Sequence, residues 1–66
     1  MKSIRLNSRP LKAARIMGGF TQSHLAQILR LSPSTIHNIE NGKTKRADNV
    51  QKVADFLHVP LKEVWK

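Results

Sequence analysis

Apolar residues recur at helical spacing along most of this chain. Val50, Val53, Ala54 and Leu57 fall at i, i+3, i+4 and i+7. That rhythm places one stripe on one face and predicts an amphipathic helix over about Ala47 to Leu57. Leu25, Ala26 and Leu29 mark a second stripe, in a helix beginning at the N-cap Thr21. Ile36 and Ile39 mark a third, running to Asn41 and stopped by Gly42. Ser32 is placed to cap this helix, and Pro33 suits its first position, where a missing N–H costs nothing. Arg30 and Leu31 form the turn between the second and third stripes.

The flanks follow the same rules. Ser8 can cap a first helix over about Arg9 to Met17, with Pro10 in its first turn and Gly18-Gly19 ending it. Leu11 and Ala14 form its inner stripe, and Ile16 and Met17 belong at its packed edge. Val59-Pro60 precedes a last short helix, about Leu61 to Trp65, whose Leu61, Val64 and Trp65 can close the core. Residues 1–7 alternate around Ile4 and Leu6 instead, predicting a short extended arm or edge strand. Lys2, Arg5 and Arg9 make that arm basic; packing of Ile4 and Leu6 on the domain is favoured over a DNA-gripping role. The organisation is therefore an arm at 1–7 and one helical domain at 8–66, with a helix-turn-helix unit at 21–42.

The third helix carries the chemistry. With Ile36 and Ile39 turned inward, Ser34, His37, Asn38 and Asn41 share the opposite face. All four are hydrogen-bonding, and none is Lys or Glu, the usual residues of a merely solvated helix. Asn38 can read an adenine edge through two hydrogen bonds. Ser34 and Thr35 can bond a base edge or a phosphate, the Thr35 methyl can meet a thymine methyl, and Pro33 offers apolar contact. Lys43, Lys45 and Arg46 follow directly, suited to phosphate contacts that set affinity and register. Gln22 brings an amide to the positive end of the second helix, a further phosphate donor. Arg15 and Glu40 sit beside apolar stripes and are expected to pair, partly buried, between the first and third helices.

Composition narrows the classes. Sixty-six residues support one small domain, and 39% hydrophobic content supports a core. Twelve Lys and Arg against four acids give a net charge of +8, favouring a polyanionic partner. The absence of cysteine excludes disulfides and points to the cytoplasm. No apolar run approaches the ~20 residues of a membrane span, and a secretory apolar stretch is lacking. His24, His37 and His58 are scattered, and Glu40, Asp48, Asp55 and Glu63 form no acid–base pair. No enzyme, metal site or cofactor is expected.

These residues resemble the Cro/CI-type phage repressors, the XRE-like helix-turn-helix family, across about residues 9–65. The resemblance rests on Gly19-Phe20-Thr21-Gln22, Leu25-Ala26, Ser34-Thr35-Ile36, Ile39-Glu40-Asn41-Gly42-Lys43 and Val53-Ala54 taken together. It implies an all-α, compact five-helix, lambda-repressor-like domain whose third helix enters the major groove. It implies base contacts from Pro33, Ser34, Thr35, Asn38 and His37, and phosphate contacts from Gln22, Asn41, Lys43, Lys45 and Arg46. The family's frequent internal ion pair falls on Arg15 and Glu40. Four residues depart from the pattern. Arg30 and His58 stand where glycine is usual, His24 replaces a common glutamate that would complete a capping box with Thr21, and Pro33 removes a frequent polar base contact. A left-handed backbone at Arg30 would cost about 1–2 kcal/mol and favour a reshaped turn.

The function expected is a sequence-specific DNA-binding transcriptional regulator, a repressor that occupies double-stranded operator DNA, acting as a homodimer. Its two-fold interface is expected on the C-terminal helix or the Ile4/Leu6 segment. A second class fits the same pattern: the antitoxin of a toxin–antitoxin pair, binding a protein partner through surfaces outside the third helix.

Overall fold

The periodic aliphatic positions converge on one core. The computed structural model describes residues 6–44 and 46–65. Lys2, Ile4, Arg5 and Lys45 lie outside the described residues, so the arm is placed only from Leu6 onward. Five helices follow in order: α1 (Arg9–Met17), α2 (Gln22–Leu29), α3 (Pro33–Glu40), α4 (Ala47–Leu57) and α5 (Leu61–Val64). Leu11, Leu25, Ile36, Ile39, Val50 and Val64 are all fully inaccessible, one or two from each helix. Burying an aliphatic side chain of this kind is worth about 1.5–3 kcal/mol, so every helix is held chiefly by its inner stripe. α2 packs most extensively on α3, while α1 lies against α3, α4 and α5.

Helices α1 to α4 close in one way. A residue two or three past the last helical position donates its N–H back to a carbonyl inside the helix. These bonds are Phe20 N to Arg15 O (3.1 Å), Leu31 N to Ala26 O (2.8 Å), Lys43 N to Asn38 O (2.9 Å) and Val59 N to Ala54 O (2.9 Å). The closure needs a left-handed residue just before, and those are Gly19, Arg30, Gly42 and His58. Arg30 therefore keeps the left-handed backbone (φ 59°) and does not reshape the turn. Closing the end of α2 outweighs the strain at one non-glycine residue. Gly18 has a different reason. A Cβ there would stand 2.9 Å from the Phe20 ring, which itself packs edge-on to Phe56 at 5.4 Å between centroids.

Several local expectations change. Ser8 does not cap α1 through its side chain. Its backbone is helical, and its hydroxyl donates instead to the Glu40 carbonyl at 2.6 Å, satisfying an open acceptor at the end of α3. Asn41 leaves helical geometry, so α3 ends at Glu40, and Trp65 is extended, so α5 ends at Val64. That extension lets Trp65 form an antiparallel bridge with Leu6, while Asn7 N donates to Val64 O at 2.6 Å. Ile16 and Met17 are not packed at an edge; they are 57% and 88% exposed. His24 removes only half of the capping box, because Thr21 Oγ1 still accepts from His24 N at 3.0 Å.

The left-handed residue at the turn has a measurable cost. Arg30→Gly should raise stability by up to about 1 kcal/mol, the relieved strain less the extra chain entropy of glycine. A higher urea midpoint with an unchanged circular dichroism spectrum is the expected result.

Candidate nucleic-acid interface

α3 is held in position and in rotation by separate contacts. Its start is fixed by Ser32, whose Oγ accepts from Thr35 N at 3.1 Å and shares a 2.8 Å hydrogen bond with Thr35 Oγ1. Its rotation is fixed by Ile36 and Ile39, both inaccessible to solvent. Pro33, Ser34, His37, Asn38 and Asn41 are consequently exposed along one side. Thr35 differs from them. It is half-buried and its hydroxyl is engaged with Ser32. His37 and Asn41, one turn apart, are tied together. Asn41 Nδ2 donates to the His37 carbonyl at 2.8 Å and lies 3.2 Å from His37 Nε2. A hydrogen bond to that ring nitrogen requires the imidazole proton on Nδ1.

The basic loop follows the stop at Gly42. Lys43 is exposed immediately beyond α3. Arg46 is also exposed, and its Nε stands 3.5 Å from Asp48 in the first turn of α4. Hydrogen bonding to Arg46 holds the Asp48 carboxyl below its usual range, and the carboxylate also complements the positive end of α4. Arg46 thus has an intramolecular partner. The Arg-x-Asp spacing at a helix start was the signal for this contact, and charge counting alone overlooks it.

Beneath this surface lies a buried polar network. Both nitrogens of one edge of the Arg15 guanidinium meet Glu40: Nε donates to Oε2, and Nη2 donates to Oε1 at 3.1 Å. Arg15 Nη1 donates to the Phe20 carbonyl at 2.7 Å. The side chains are 11% and 3% exposed respectively. Gln22, expected as a phosphate donor, donates from Nε2 to Glu40 Oε1 at 3.1 Å within the protein. No buried side-chain nitrogen or oxygen among the described residues lacks a partner. Among the described residues, no group of His, Asp and Glu converges as a metal site, and no helix is long and apolar enough to cross a membrane.

Five helices in this order, with a left-handed turn between α2 and an exposed polar α3, define a lambda-repressor-like helix-turn-helix domain. The sequence model of the family described as Helix-turn-helix matches residues 11–64, and the chain belongs to that family, of the Cro/CI (XRE-like) type. It is a family of DNA-binding regulators, typically without enzymatic activity. No curated protein and no solved structure matches the chain.

Removing one partner of a buried ion pair strands the other charge. Glu40→Ala should cost about 3–5 kcal/mol. A domain of this size has only about 3–10 kcal/mol in total. Urea denaturation should therefore find this variant stripped of about a third or more of its stability, with a much lower midpoint, whereas Asp48→Ala should stay close to the parent.

Proposed function

We propose that this protein is a sequence-specific transcriptional regulator that represses by occupying operator DNA with α3 in the major groove. One observation carries the reading: a stripe of uncharged hydrogen-bonding groups is exposed along a helix whose buried Ile36 and Ile39 allow it no rotation. Such a stripe has donors and acceptors to match base edges and no charge to hold it at the backbone. In this reading Asn38 pairs with an adenine edge, while Ser34 and His37 contact neighbouring bases. Pro33 and the Thr35 methyl supply apolar contact with thymine. Gln22, Asn41, Lys43, Lys45 and Arg46 take phosphates. With roughly four to six phosphates engaged, log Kd should change with log salt with a slope of magnitude about 4–5 per domain.

The regulator acts as a homodimer, reading half-sites about one helical turn (~34 Å) apart. Leu6 bridges to Trp65, so this residue of the N-terminal segment considered for the two-fold contact lies beside the end of the C-terminal helix. Sedimentation showing a monomer both alone and on operator DNA would exclude the dimer.

In vitro selection of bound sequences is the decisive experiment. Asn38→Ala should relax base preference at about one position, a loss of about 1–3 kcal/mol of discrimination. Lys43→Ala should weaken all sites alike and reduce the salt slope by about one. The selected site should exceed genomic fragments in affinity by ~10³-fold or more at physiological salt. A ratio near one would identify a non-specific binder instead.

A further inference from the structure

The second feature of Gln22, its bond to Glu40, changes what its amide can do. A glutamine amide in isolation presents either its oxygen or its nitrogen with nearly equal ease. Only the nitrogen end attracts a phosphate. Glu40 removes the choice, because a carboxylate only accepts. Its Oε1 holds one proton of Gln22 Nε2 at 3.1 Å, so the amide nitrogen is pinned on the Glu40 side. The second proton on the same nitrogen diverges from the first and is left to a further acceptor.

Three other observations fit a phosphate as that acceptor. Gln22 is the first residue of α2, and the cap Thr21 takes the N–H groups of His24 and Leu25. The N–H groups of Gln22 and Ser23 have no intrahelical acceptor and add a positive partial charge beside the amide. Glu40 is 3% exposed at its side chain, so the carboxylate cannot itself confront a phosphate. Arg15 cancels its charge through two hydrogen bonds, so an approaching anion meets a neutral pair.

We infer that Glu40 is a positioning residue for DNA binding, which orients the Gln22 amide so that one Nε2 proton stays in the protein and the other is donated to a DNA phosphate. The inference rests on the DNA-binding reading above and deepens it. Glu40 thereby joins two tasks: it is the end of a buried pair and the support of a contact at the surface. The arrangement couples α1, through Arg15, to that phosphate contact.

The test is a double-mutant cycle in affinity for a selected operator duplex at about 150 mM salt. It uses the whole protein with Gln22→Ala, Glu40→Gln and both, each first verified as folded by circular dichroism. Gln22→Ala should weaken binding about tenfold, the usual worth of a hydrogen bond to a charged group. Glu40→Gln should also weaken it, because an amide at position 40 accepts either end of Gln22. The double variant should bind no worse than Gln22→Ala alone. Losses that multiply, or parental affinity in Glu40→Gln, would overturn the proposal.

If Glu40→Gln does not fold, the parental protein gives the answer by nuclear magnetic resonance. Adding the duplex should displace one Gln22 Hε2 resonance strongly and leave its geminal partner nearly in place. Equal displacement of both, or of neither, would overturn the proposal. Asn38→Ala in the same binding assay separates the two levels. If it leaves base preference intact, the DNA-reading assignment fails; if it relaxes preference while the cycle is additive, only the role of Glu40 fails.

Discussion

The Glu40 carboxylate is the group around which this small domain is arranged. It accepts from Arg15 twice and from Gln22 once, and the carbonyl of the same residue accepts from Ser8. One residue at the end of α3 therefore fixes α1, the start of α2 and the segment entering α1. A buried charge is costly unless its hydrogen bonds are complete. Here completion requires three separate parts of the chain to be in place together. The network gives the fold positional accuracy that nonspecific aliphatic packing does not provide, and it does so directly below the exposed face of α3.

The aliphatic core supplies the cohesion. Its inner stripes come from every helix, and they set the phase of each helix about its own axis. Phase is what matters for α3. Ile36 and Ile39 are separated by nearly a full turn and point to the same interior, so Ser34 and Asn38 have no alternative to the outside. Polar satisfaction at the helix ends then trims the element lengths. The left-handed closures after α1 to α4 turn the chain sharply, which lets short helices cross without long loops.

The strongest sequence signals corresponded to local physics. α1 and α4 begin and end where proline, paired glycines and the i, i+3, i+4 rhythm placed them. The exposed side of α3 was legible for the same reason, since two isoleucines define its opposite. What escaped sequence reading depended on partners distant along the chain. Ser8 reads as a cap because it precedes Arg9-Pro10, yet its hydroxyl serves Glu40, 32 residues away. Gln22 donates to Glu40, 18 residues away, a bond with no local mark in the sequence. Ile16 and Met17 read as packed because they are apolar, and only the arrangement of neighbours leaves them in solvent. Arg30 shows the reverse case: its backbone cost was visible in the sequence, but whether the turn would yield was decided by the hydrogen bond it closes.

The bridge between Leu6 and Trp65 gives the molecule a seam that joins segments nearly a whole chain apart. Closing so long a loop carries an entropy cost that no neighbouring helix offsets until the bundle has formed. The seam should therefore zip last and fray first. The sole tryptophan of the protein lies in it. Indole emission would then report the opening of this edge while α2 and α3 are still intact, a built-in optical probe of the least cooperative part of the fold.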